Sequence, residues 1–223
     1  MKYYRISYTH ADRSPRFPGN PANAIKPVLS FAAGDGCSAW EVTLFTHNGS
    51  HIDLPHHYHA QGRRLVDYDA GEFVFERPVL VRVSGGPGEA ITAASLAPFE
   101  AAIRASDLLL LSTGFWAHRG SPLYADNPFL TLDAARFLKG MPGLRALGID
   151  FLSITNPGRK QLGDEVHRLL LRESEEEKAI LIIEDLDLSS DGLVAQFRRV
   201  FAVPLFVEGV DGMPCTVFGE YAP

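Results

Sequence analysis

The chain has 223 residues, 46% of them hydrophobic and 22% charged, with a formal net charge of -6. It is long enough to bury a sizeable core as one domain over 1–223. Its acidic balance offers no attraction for phosphate backbones or anionic lipid, and no apolar run reaches the ~20 residues that span a bilayer, so neither nucleic acid nor membrane is an expected partner. Cys37 and Cys215 are too few for a disulfide framework or a thiolate metal site and are expected as packed thiols. The opening Met1-Lys2-Tyr3-Tyr4-Arg5 lacks the apolar core of a signal peptide, which makes the cytoplasm the expected location.

In chain order, Pro15, Pro18, Gly19 and Pro21 force an early loop that carries one bulky aromatic, Phe17. Residues 40–45 alternate as a strand and deliver a stretch, 46–59, holding five of the eight histidines: His47, His51, His56, His57 and His59. Asp53 lies among them, and Gly49 and Pro55 supply bends that let His47, His51 and Asp53 converge. Neutral imidazole with ionised carboxylate suits zinc, manganese or iron. A helical arrangement of the histidines is disfavoured by Gly49, Ser50, Asp53 and Pro55. Neither the glutamate spacing of a cupin nor the His-Glu-x-x-His of a metalloprotease is present.

Further along, 79–83 reads as a strand and the glycines of 84–88 as a plain loop, without a phosphate-cradle pattern. Ser95 is expected to cap a helix running to Ile103, with Pro98 in its first turn, before a buried strand at Leu108–Leu111. Residues 112–120 mix aromatics, small residues and a cation, as a pocket loop would, with Phe115 and Trp116 as candidate lining residues. His118 there is taken as a solvated loop residue. Thr131 caps a helix over 132–139 that Gly140 closes, and 146–150 is the next strand. Asp164 is expected to open a helix over 165–178 that bears His167 and ends in a solvated charge run. A buried strand at 180–186 carries Glu184, and Asp211-Gly212 is a hairpin signal between strands at 203–209 and 214–218. Periodicity supports a single mixed α/β domain.

The run His47-x-Gly49-Ser50-His51-x-Asp53-x-Pro55-x-His57 closely resembles the signature of the metal-dependent cyclase-like hydrolases, the kynurenine formamidase and isatin hydrolase type. Ser50 replaces the family's threonine and keeps the hydroxyl. The resemblance covers nearly the whole chain and implies a swivelling β/β/α fold, a single mixed-sheet domain assembled as a homodimer or homotetramer. It implies two divalent ions per chain, zinc or manganese, held by His47, His51, Asp53, His167 and Glu184. His167 and Glu184 are matched to the family's helix histidine and strand glutamate, although the charged run lengthens the spacing between them. The resemblance also places His57 as general acid/base and Phe17 over a small-molecule substrate. The implied reaction is cleavage of the C-N amide bond of an aryl formamide such as N-formylkynurenine by metal-activated hydroxide, a step of tryptophan catabolism. Ring opening of a cyclic amide or lactone, as for isatin, is the alternative in the same class, and metal binding without turnover the alternative outside it. One departure is Asn156-Pro157, where the family usually carries Asp-Pro.

Overall fold

The structure, a computed structural model, describes residues 1–222. Strand β1 (Lys2–Arg5) precedes a hairpin of β2 (Ala24–Leu29) and β3 (Ala39–Thr43), and then come β4 (His51–Asp53), β5 (Val74–Phe75) and β6 (Pro78–Arg82). A short strand β7 (Ala90–Ile91) leads into helices α1 (Ala93–Leu96) and α2 (Glu100–Ala105), followed by β8 (Leu108–Ser112), β9 (Phe129–Leu130), α3 (Leu132–Lys139) and β10 (Ala146–Ile149). The last third contains α4 (Lys160–Leu171), β11 (Leu181–Glu184), α5 (Asp191–Val194), β12 (Arg199–Pro204) and β13 (Gly212–Tyr221).

One sheet organises the molecule, in the order β5-β12-β13-β4-β11-β10-β8-β6, with β1 added alongside β13. Its β6, β8, β10 and β11 are parallel, and its β4, β5, β12 and β13 join antiparallel. The parallel strands are apolar on both faces because both faces are covered. Leu109, Leu111, Leu147, Ile149 and Ile182 enter a core shared with α3 and α4, whereas Leu108, Leu110, Ala146, Leu181 and Ile183 enter a second core beneath the antiparallel half. That division is the period of two along each strand. Each fully buried leucine contributes about 1.5–3 kcal/mol by leaving water, so these runs fix the register.

Several expectations need correction. The β2–β3 hairpin stands apart from the large sheet and leaves Trp40 58% exposed, so it does not carry the histidines. Instead the motif forms its own strand, β4, between β13 and β11. Thr92, not Ser95, is the cap before α1; Ser95 sits three residues on, in a reciprocal capping arrangement, and Pro98 lies in a 3-10 turn between α1 and α2. Helix α4 starts before Asp164 and ends at Leu171, so the charge run 172–178 is a loop. Arg172 turns extended at the helix end, and Lys139 donates to the main-chain oxygens of Arg172 and Lys178, tying the loop down. Asp211 and Gly212 do not form a two-residue turn: Gly212 begins β13, after a seven-residue connection from β12. Cys215 is buried as expected, but Cys37 is exposed.

Candidate active site

Strand β4 places His51 and Asp53 two residues apart, hence on one face. Its antiparallel register with β11 sets Glu184 opposite His51, and its register with β13 sets Gly212 opposite Asp53. His47 reaches the same point from the loop before β4, where Gly49 adopts φ 66 and turns the chain. Gly212 must lack a side chain, because a Cβ there would lie 2.6 Å from His47 Cε1 and 2.8 Å from the Ile52 carbonyl oxygen. Helix α4 packs on β11 and contributes His167. The longer spacing between His167 and Glu184 is absorbed by the loop after α4, and the two side chains meet.

His51 Nε2 is 3.2 Å from Asp53 Oδ1 and 3.6 Å from Glu184 Oε2, while His167 Nε2 is 3.6 Å from Asp53 Oδ2 and 3.7 Å from Glu184 Oε1. His47 Nδ1 donates to Asp53 Oδ1 at 2.7 Å. Three donor groups result: His47-His51-Asp53 and Asp53-His167-Glu184, which share Asp53, and His47-His57-Asp211 nearer the surface.

These residues fit divalent cations on three grounds. Most of the imidazole-carboxylate separations exceed hydrogen-bonding range and match the ~3.4 Å expected between ligands ~2.1 Å from a tetrahedral ion. His51 Nδ1 donates to the Gly49 carbonyl at 2.7 Å and His167 Nδ1 to the Gly163 carbonyl at 2.9 Å, which leaves each Nε2 lone pair aimed inward. The electrostatics also call for positive charge. Burial opposes ionisation of Asp53, but His51 and His47 hold it well below the usual carboxylate range. Burial likewise opposes a charged His47, yet Asp53 and Asp211 raise it to about 10; against the same penalty Asp53 and Glu184 raise His167 to about 9. A cation would replace those protons.

Asp211, read in the sequence only as part of a turn signal, is a member of the site. Its Oδ2 accepts from His57 Nδ1 at 2.7 Å and from His47 Nε2 at 3.1 Å, and although burial opposes it, these histidines hold Asp211 far below the usual carboxylate range. The residue before β13 necessarily falls beside the end of β4, where the Leu54 N–H donates to the Asp211 carbonyl. His57 stacks on His47 with ring centroids 3.9 Å apart and lines the cavity. His56 and His59 turn away, the first accepting from Arg64 and the second donating to the Arg168 carbonyl.

The cavity above the donors measures about 200 Å3 and is walled by Phe17, Phe45, Tyr58 and Leu152, with Lys160 and Asp164 in its lining. Phe115 and Trp116 do not line it. Asp150 accepts from the Thr113 and Gly114 N–H groups and the Thr113 hydroxyl, which turns Phe115 into the core against Tyr124. Phe45 and Tyr58 supply the aromatic surface instead. Asn156 caps the turn before α4, accepting from the Gly158 N–H while donating to Asp126 and to the Asn127 carbonyl. Neutral Asn is suited to that position because its amide must donate.

The fold and this donor set are of the cyclase-like kind, with residues that could hold a metal. The chain belongs to the putative cyclase family, whose model matches residues 4–156. It is 27% identical over 211 residues to a kynurenine formamidase of Geobacillus thermodenitrificans, covering 94% of this chain and 92% of the relative. It is similar in fold to isatin hydrolase A of Labrenzia aggregata, with a TM-score of 0.79, 18% identity and coverage of 97% and 92% of the two chains. A structure described as a potential metal-dependent hydrolase with cyclase activity gives a TM-score of 0.74 at 24% identity, with coverage of 98% and 96%. No helix among the described residues is long and apolar enough to cross a membrane.

Proposed function

We propose that the protein hydrolyses the C-N bond of an aryl formamide, with N-formylkynurenine as the type of substrate. The observation that carries this reading is a cavity with an aromatic wall, a floor of metal donors and an uncommitted imidazole edge. His57 Nδ1 is held by Asp211, so Nε2 is the atom that exchanges protons. It takes a proton from the attacking water and returns it to the departing nitrogen, which leaves as a neutral amine. His47, His51, Asp53, His167 and Glu184 would hold one or two divalent ions, zinc or manganese. When bound, such ions supply Lewis-acid polarisation of the carbonyl and a lowered pKa for water. Phe17, Phe45 and Tyr58 bind the flat aryl body and exclude bulk water.

Charges at the rim support this substrate over isatin. Lys160 Nζ sits 2.8 and 2.7 Å from the two Asp164 carboxylate oxygens, and Tyr58 donates to Asp164 at 2.8 Å. Lys160 remains 64% exposed in its side chain, and an exposed pair of this kind is worth only ~0–1 kcal/mol, so its members are free to exchange partners. An amino-acid tail offers both matching charges; isatin offers neither. The relative named kynurenine formamidase supports the same choice. A panel of N-formylkynurenine, formanilide and isatin, assayed with and without a chelator, tests it: no metal-dependent hydrolysis of either formamide removes the reading, and turnover of isatin alone selects ring opening.

We also propose that the chain works as a homodimer or homotetramer. The hairpin of β2 and β3 leaves Val28, Trp40 and Val42 more than half exposed, with Phe31 70% exposed beside them, an apolar surface of the kind that self-association covers. Size-exclusion chromatography with light scattering that returns only monomer rejects it.

A further inference from the structure

We propose that Asp185, with Arg119 and Tyr124, is a positioning device that aims Glu184 into the metal centre. The inference rests on Glu184 being a metal ligand. Asp185 follows Glu184 directly and is the only non-glycine residue among those described with a positive φ, 55. It is also fully buried. A left-handed residue bends the chain at the end of β11, and so fixes how that strand presents its last side chain.

Every polar group of Asp185 is engaged. Its N–H donates to the Phe151 carbonyl at 3.0 Å, and its own carbonyl accepts the Ser50 hydroxyl at 2.5 Å. One carboxylate oxygen accepts Arg119 Nε at 2.9 Å and the Tyr124 hydroxyl at 2.7 Å, and the other accepts Arg119 Nη2 at 2.8 Å. The Arg119 guanidinium lies 3.7 Å from the centroid of the Tyr8 ring, and the Tyr8 N–H donates to Ser50 Oγ at 2.8 Å. These contacts close a circuit through Ser50, Asp185, Arg119 and Tyr8. Ser50 precedes His51, Asp185 follows Glu184, and His51 and Glu184 face each other across β4 and β11. The circuit therefore fixes the separation of two donor residues from behind.

The chemistry of the clamp points to orientation rather than to stability. Buried ion pairs are poor stabilisers compared with apolar packing, and aspartate is a less natural occupant of a left-handed position than glycine. A forked guanidinium on both carboxylate oxygens, reinforced by a phenol, fixes direction. Glu184 Oε1 itself accepts the Ile154 N–H at 2.8 Å, and the clamp fixes the backbone from which that carboxylate projects, together the outer support that a metal ligand needs.

The test measures zinc affinity by competition with a chromogenic chelator, alongside the melting temperature of the chelated protein. Asp185→Ala removes the clamp and the residue type that tolerates the turn, and should weaken zinc ~10- to 100-fold, the usual effect of losing support behind a ligand. Asp185→Asn tolerates the left-handed turn and keeps an acceptor oxygen, so it should recover most of that loss. Arg119→Lys keeps the charge but loses the fork and should fall between them. Leu138→Ala, remote in the helix-side core, should lower the melting temperature and leave zinc affinity unchanged. Folded Asp185→Ala or Arg119→Lys protein that binds zinc within twofold of wild type overturns the proposal, and Arg119→Lys decides alone if Asp185→Ala does not fold. Wild-type protein that binds no zinc, or Glu184→Gln protein that binds it as well as wild type, removes the ligand assignment and the proposal with it. Binding lost in Glu184→Gln but kept in both clamp variants sinks the proposal and spares the assignment.

Discussion

Asp211 Oδ2 accepts the His57 Nδ1 proton at 2.7 Å while also standing 3.1 Å from His47 Nε2, so one carboxylate oxygen joins the residue proposed for proton transfer to one proposed as a metal donor. The bond fixes the His57 tautomer and keeps the ring stacked on His47. A histidine left without such a partner would spend part of its time in the wrong tautomer and the wrong rotamer.

Asp211→Asn tests that role. The amide keeps the size and one oxygen but loses the charge that the His57 N–H and His47 share. The turnover rate on an aryl formamide should fall by ~10² or more, within the range that general acid/base catalysis supplies. Elemental analysis should show metal retained through the buried donors. An unchanged rate at full metal content would remove Asp211 from the mechanism.

The donor centre makes the chelated protein sensitive to pH. His47 is raised from 6.5 to about 10 and His167 from 6.5 to about 9. A raised imidazole contributes stability that is fully present below its unfolded value and is lost as pH climbs through the folded value. Asp53, held below 3.8, contributes stability above that pH which disappears as pH falls through its lowered value. The melting temperature of chelated protein should therefore decline between pH 6.5 and 10, and zinc affinity should rise over the same interval as those protons are displaced. A flat melting profile across that window contradicts the raised imidazoles.

Much of this was legible in the sequence, for local reasons. Leu108–Leu111 and the isoleucines of β11 could only be buried strands, and Thr131 and Gly140 bracket α3 at its observed limits. His47, His51 and Asp53 are close enough along the chain for one bend to gather them. What escaped depends on distant partners. Asp211 is 158 residues from Asp53, and only the sheet register places them side by side. The direction of Phe115 is set by Asp150, whose buried carboxylate holds the preceding turn. The charged residues 172–178 have good helix formers among them, but Lys139 draws their ends into a loop.

Metal binding and proton transfer should separate by mutation. Asp53 belongs to two of the donor groups, so Asp53→Asn should strip metal and activity together. His57→Ala should leave metal content near wild type while the rate drops by ~10² to 10⁴. His57 also belongs to a third group, with His47 and Asp211, whose atoms could hold an ion. If His57→Ala loses metal as severely as Asp53→Asn, that third group is the real metal site and the proton donor lies elsewhere.

The rim gives the sharpest discrimination between substrates. Lys160 opens α4, where the positive end of the helix dipole disfavours a cation, so its charge adds to helix stability only through its pair with Asp164 one turn on. Its ammonium is instead exposed in the lining of the cavity, tethered by Asp164, which Lys160 and Tyr58 hold below the usual carboxylate range against the effect of burial. Lys160→Met keeps the aliphatic stem and removes the charge. For N-formylkynurenine, whose carboxylate would exchange onto the ammonium, KM should rise ~3- to 5-fold, as expected from losing ~0.6 to 1 kcal/mol of a solvent-exposed ion pair. For formanilide, which has no charge to place there, KM should stay within twofold, and kcat should hold for both because Lys160 hydrogen-bonds to Asp164 and to neither His57 nor Asp211. A matched rise for the two formamides would mean that Lys160 shapes the cavity without reading charge, and an unchanged KM for both would return the Lys160–Asp164 pair to the ordinary surface of a helix.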